Sequence, residues 1–138
     1  MTGTSLAHLA THAFFSPDDP LDSGIVLADG VLSARELIRH RIRTELLVLS
    51  ACETGLAGSL GGEEMAGVAQ SFLYAGARSL LVGLWPATDR SSDLLIRAFY
   101  TARQNAHDTA TALRDAAAIL RNDRLLSHPH YWIGPDFH

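Results

Sequence analysis

The residue best suited to chemistry is Cys52, the single cysteine of a 138-residue chain. One cysteine excludes an intramolecular disulfide, a CxxC redox pair and a cysteine-rich zinc site, which leaves an inert buried thiol, a redox-sensitive thiol or a nucleophile. A free thiol titrates near ~8.5 and is mostly protonated at neutral pH, so a nucleophilic role needs a base beside it. His12 is the candidate base. A β-like segment, Ser5 to Ala10 (SLAHLA), runs out into Ala10-Thr11-His12-Ala13, and a second, Glu45 to Ser50 (ELLVLS), runs out into Ser50-Ala51-Cys52-Glu53-Thr54-Gly55. If the two strands lie side by side and parallel, about 4.8 Å apart, the imidazole and the thiol come within reach of each other. His12 could then take the thiol proton and later hand it to a leaving amine. The backbone N–H groups of Cys52 and Ala13 are the candidate donors for a developing oxyanion. Gly55, Gly58, Gly61 and Gly62 form a loop beside the cysteine that can take unusual backbone angles.

The elements that must position this pair are legible as an alternation of strands and helices. The run Glu45 to Ser50 and a third segment, Arg78 to Leu84 (RSLLVGL), are nearly continuous in apolar residues, which suits strands buried on both faces. Between them, Met65, Val68, Ala69, Phe72 and Leu73 recur at helical spacing over Gly61 to Ala77, with Glu63 and Glu64 in the first turn and Gly76 as the stop. Two further amphipathic helices are predicted over Asp89 to Asn105 and Thr109 to Leu126. Pro17, Asp18, Asp19 and Pro20 mark a loop after the first strand. Asp29-Gly30, flanked by Ile25 to Ala28 and Val31 to Leu32, signals a hairpin turn, and Ser33 with Glu36 forms a capping box. This alternation predicts an α/β sandwich with a mostly parallel sheet, whose chemistry sits at the C-terminal strand ends.

Composition narrows the classes. Apolar residues make up 47% and charged residues 19%, with a mean hydropathy of +0.09, as expected of one compact domain with a core. All 11 basic residues are Arg, so a Schiff-base lysine and a P-loop lysine are both excluded. A net charge of −4 and a pI near 5.9 disfavour nucleic-acid binding. Neither a membrane span nor a secretory signal is readable, and the expectation is a cytoplasmic protein.

Other candidates carry weaker signals. His8 shares a strand face with His12, but no second cysteine or nearby carboxylate completes a metal set with Cys52, so no metal and no cofactor are expected. Glu53 could orient a substrate or pair with an Arg. Trp85 is a candidate wall of a substrate cleft, with core packing its alternative, and the same choice applies to Tyr131 and Trp132. Arg35, Arg39, Arg41 and Arg43 with His40 read as a solvated face, since no aromatic residues interleave for base stacking. His128 and His130 bracket Pro129 and read as turn residues.

The segments HLATHA (8 to 13), LLVLSACETG (46 to 55), GGEEMAGVAQSFLYAGARSLLVGLWPATD (61 to 89), FY (99 to 100) and HPHYW (128 to 132) resemble the CHAT family, caspase-like cysteine peptidases related to separase. The resemblance implies a caspase-like three-layer α/β sandwich and a cysteine endopeptidase whose catalytic pair is His12 and Cys52. Separases have an Asp shortly after the corresponding LW that helps form a pocket for a basic side chain; Asp89 occupies the comparable position, which implies cleavage after Arg or Lys. Domains of this fold have two further strands and a helix before the histidine strand, so residues 1–138 are expected to be the C-terminal catalytic portion of such a domain. The first strand is then expected to be an unprotected edge. Also, the tail IGPDFH replaces a longer apolar strand. Implied partners are a protein or peptide substrate and a regulatory repeat or sensor region, or a chain that completes the sheet. The alternative function is an inactive or incomplete fragment that serves as a protein–protein interaction module.

Overall fold

A computed structural model describes residues 4–53, 62–83, 89–105, 108–131 and 135–137. The strands are β1 (Thr4–Phe14), β2 (Gly24–Leu27), β3 (Gly30–Ser33), β4 (Thr44–Glu53), β5 (Leu80–Gly83) and β6 (Pro135–Phe137), in the sheet order β3-β2-β1-β4-β5-β6. The helices are α1 (Ala34–Leu37), α2 (Gly62–Ala75), α3 (Asp89–Asn105) and α4 (Thr109–Asn122). The chain divides into two compact units, Met1–Pro86 with Asp136–His138, and Ala87–Pro135.

The architecture is α/β, but the sheet is mixed where the sequence predicts a mostly parallel one. β1 pairs with β4 and β4 with β5 in parallel, whereas β1 with β2 and β2 with β3 are antiparallel. The cause is the hairpin. Leu27 pairs with Gly30 across the Ala28-Asp29 turn, and the stapled loop between β1 and β2 returns β2 alongside the end of β1. Asp19 caps a 3-10 turn at Pro20–Asp22, and Arg35 of α1 ties that turn down through Asp19 at 2.6 Å and Asp22 at 3.2 Å. The close return needs Gly24, because a Cβ there would collide with the Leu32 carbonyl. β1 is therefore flanked rather than a full edge, yet β2 pairs with it only over His12–Phe14.

Side-chain alternation sorts the sheet into two faces. One carries Ala13, Ile25, Leu47, Leu49, Leu80 and Val82, packed with Leu37 of α1 and Val68, Ala69 and Phe72 of α2 into the main core. Leu46, Val48 and Leu81 of the opposite face are also buried, which accounts for the unbroken apolar runs in these strands. In the second unit α3 and α4 pack on each other, and Leu95, Phe99, Ala112, Ala116 and Leu120 are buried.

The local signals mostly held. The Ser33–Glu36 capping box forms, and α3 spans the predicted residues. α4 stops at Asn122, four residues before the predicted Leu126. The apolar pair Leu125 and Leu126 extended the helical pattern, but the Asp123 carboxylate accepts the Leu125 N–H at 2.8 Å and turns the chain. Pro129–Tyr131 forms the turn expected around His128 and His130. None of the helices among the described residues is long and apolar enough to cross a membrane.

Gly76 ends α2. The Gly76 N–H donates to Leu73 O at 3.0 Å and the Ala77 N–H to Phe72 O at 3.1 Å, the two bonds of a Schellman cap. Its φ of +112° favours glycine, and an added Cβ would lie 2.5 Å from the Ile42 carbonyl. That contact faces the segment leading into β4, where the Ile42 N–H donates to Ala75 O at 2.7 Å. Gly76→Ala is expected to cost about 1–3 kcal/mol, read as a lowered urea midpoint with unchanged slope.

Candidate functional site

β1 and β4 run parallel in continuous register from Leu6 opposite Leu46 to Ala13 opposite Glu53, and within that ladder His12 is the Cα partner of Cys52. The two residues expected to form a dyad therefore occupy one rung of two adjacent parallel strands. Both strands are longer than the sequence predicts, reaching Phe14 and Glu53, so His12 and Cys52 belong to the last rungs of the ladder rather than to loops beyond it. Directly paired residues share a face of the sheet, with Cα atoms of neighbouring strands about 4.8 Å apart. This is the face opposite the α1 and α2 core, since Ala13 and Leu49 point into that core. The His12 side chain is exposed; that of Cys52 lies outside the described residues.

Ala13 is 2% exposed and has Glu53 on one side and Ile25 on the other as Cα partners, so its N–H lies in the plane of the sheet between two strands. Glu53 is the last residue of β4, its side chain outside the described residues. Asp89 opens α3 in the second compact unit, and its side chain is likewise outside them. Trp85, Trp132 and the loop glycines Gly55, Gly58 and Gly61 lie outside the described residues, while Gly62 opens α2.

One further side-chain contact joins the same two strands. His8 Nε2 lies 3.0 Å from Ser50 Oγ. His8 stands four residues before His12 and Ser50 two before Cys52, so all four positions belong to one face. The signal was present in the even spacing of HLATH and SAC, but a serine inside an apolar run does not announce itself as a partner. Among the described residues no group of three or more His, Cys, Asp or Glu could hold a metal ion. Of the arginine cluster, Arg35 serves the loop staple, and Arg39, His40, Arg41 and Arg43 are exposed.

Residues 2–135 match the CHAT domain family, and the chain belongs to it. CHAT domains are a caspase-like, peptidase-related family. Among curated proteins the chain is similar to tetratricopeptide repeat protein 28 of Mus musculus, 30% identical over 108 residues covering 78% of this chain and 4% of that protein. The Homo sapiens protein of the same name is 28% identical over the same share of each. The chain thus spans a small fraction of the length of these relatives.

Desolvation of its ring holds the His8 pKa below the usual imidazole value. In the unfolded chain the same ring titrates near ~6.5, so on acidification below that value the unfolded state binds a proton that the folded state resists. The His8 contribution is therefore complete above ~6.5 and declines as pH falls from there through the folded value. Urea midpoints of the wild-type chain and His8→Gln, measured at pH 7.5 and pH 5.5, are expected to show a larger acid loss in the wild type.

Proposed function

We propose that this chain is the catalytic portion of a caspase-like cysteine endopeptidase, with the sheet as the middle layer of a three-layer sandwich. The observation that carries the reading is the rung shared by His12 and Cys52. The Cys52 thiol gives its proton to His12 and the thiolate attacks the scissile carbonyl carbon. The C–N bond breaks, the amine departs with the proton from His12, and a thioester remains. Water, deprotonated by His12, then hydrolyses the thioester, releasing the acid and restoring the thiol.

The oxyanion of each tetrahedral intermediate is held by the N–H groups of Cys52 and Ala13. For Ala13 this requires local opening of the ladder where it ends. Asp89 favours a basic residue before the scissile bond, with Glu53 and Trp85 bordering the cleft. The protein acts in the cytoplasm, and a repeat region of the kind for which the relatives are named regulates it.

The test uses peptides carrying a reporter after Arg or Lys, with wild-type protein, Cys52→Ala and His12→Ala. Either substitution is expected to lower kcat/KM by at least roughly 10³-fold. Equal signals from wild type and Cys52→Ala contradict the reading. Asp89→Asn is expected to reduce the preference for Arg and Lys over uncharged residues by roughly tenfold, read as a ratio of kcat/KM values.

A second reading is an interaction module, and one observation favours it. From Thr4 to Thr11, β1 has β4 on one side and, among the described residues, no strand pairing on the other. Such an edge accepts a strand from another chain. Added strands would protect the Thr4–Thr11 amides from hydrogen exchange at high protein concentration or with a partner; exchange that never slows counts against it.

A further inference from the structure

The rung that joins Cys52 to His12 continues across the sheet. His12 pairs with Val26 of β2, and Val26 pairs with Val31 of β3. Four strands thus contribute one row, Cys52–His12–Val26–Val31, on a single face. Phe14, two residues beyond His12 on β1, stands on the same face, and its partner across β2 is Gly24, which offers no side chain. Phe14 is 46% exposed and Val31 43% exposed, with Val26 half-buried between the strands. Their core-facing neighbours Ile25 and Ala13 are buried, so the exposure belongs to this face. An apolar floor therefore begins one strand spacing from His12, on the side away from Cys52.

That direction has a chemical meaning. Resting on the peptidase reading above, His12 gives its proton to the leaving amine, so it stands on the amine side of the scissile bond. The row beyond it lies under the peptide that follows the cut. Val26 is about 5 Å and Val31 about 10 Å past His12 by strand spacing, and an extended peptide advances about 3.3 Å per residue. We propose that Phe14, Val26 and Val31 form a subsite for an apolar side chain of the substrate within the first three residues after the scissile bond.

Burial of one such side chain discriminates by tenfold or more against a small or charged one. The hairpin sets specificity on the leaving side independently of Asp89, which is assigned to the residue before the cut.

The test uses internally quenched peptides with a fixed Arg before the cut and Leu, Gly or Glu at each of the three positions after it. The enzymes are the wild-type chain, Val31→Asp and Val31→Thr, with Cys52→Ala as the control. The wild type is expected to favour Leu over Glu by at least about tenfold at one position, and Val31→Asp to bring that ratio toward one. Val31→Thr, similar in shape and more readily folded, is expected to fall between them. Cleavage that depends on Cys52 but is indifferent to the leaving side overturns the subsite alone. Absence of cleavage dependent on Cys52 in every peptide overturns the peptidase reading on which it rests. Anisotropy of the labelled Leu-containing leaving peptide on Cys52→Ala supplies a readout without turnover. Binding at least fivefold tighter than for its Glu counterpart supports the subsite, and equal binding overturns it.

Discussion

The parallel ladder between β1 and β4 is the constraint on which the remainder depends. Leu6 to Ala13 pair with Leu46 to Glu53 without interruption, and that register alone brings His12 to Cys52. A slip of β1 by one residue would turn every side chain of that strand to the other face, taking Ala13 out of the core and removing His12 from the face of Cys52. Leu46, Leu47, Val48 and Leu49 bury both faces of β4 and anchor it, each full burial contributing about 1.5–3 kcal/mol, while the exposed His8 and His12 on one face of β1 and the buried Ala13 on the other specify the register. Stability and the candidate site thus draw on the same strands.

Around this ladder, separate devices fix its surroundings. The His8–Ser50 contact ties the two strands together on the site's own face. The Gly76 cap locks the end of α2 against the segment that leads into β4. The Arg35 staple holds the turn that delivers β2 to the end of β1. The hairpin in turn extends the face of His12 outward to Val31. The staple acts at the C-terminal end of β1, where chemistry in parallel sheets is concentrated, and the Gly76 cap at the opposite end, where β4 begins.

Much of this was legible in the residues. The strand, helix, strand unit from Glu45 to Leu84 and the capping box at Ser33 rest on local patterns that the fold does not override, as does the hairpin signalled by Asp29-Gly30, although its turn is Ala28-Asp29 and Gly30 already pairs in β3. The pairing of His12 with Cys52 was readable only on the condition that their strands be adjacent and parallel, which no local pattern decides. The mixed character of the sheet was not legible, because pairing direction depends on how a loop returns, and the staple joins residues 13 and 16 apart. The strand ends were underestimated because Thr11, Ala13, Ala51 and Glu53 lack the apolar signature of a strand, though ladder bonding carries the strands through them. Phe14 and Val31 gave no sign of a common face, since 17 positions separate them and only cross-strand pairing unites them.

The central claim is that His12 acts as the base for Cys52. Because Cys52 is the single thiol, its alkylation by iodoacetamide can be followed in the intact chain without labelling elsewhere. The rate measured from pH 5 to pH 9 should show a reactive thiolate well below the ordinary thiol value of ~8.5, and His12→Ala should return the profile to that value. Identical profiles for the wild type and His12→Ala would contradict the dyad.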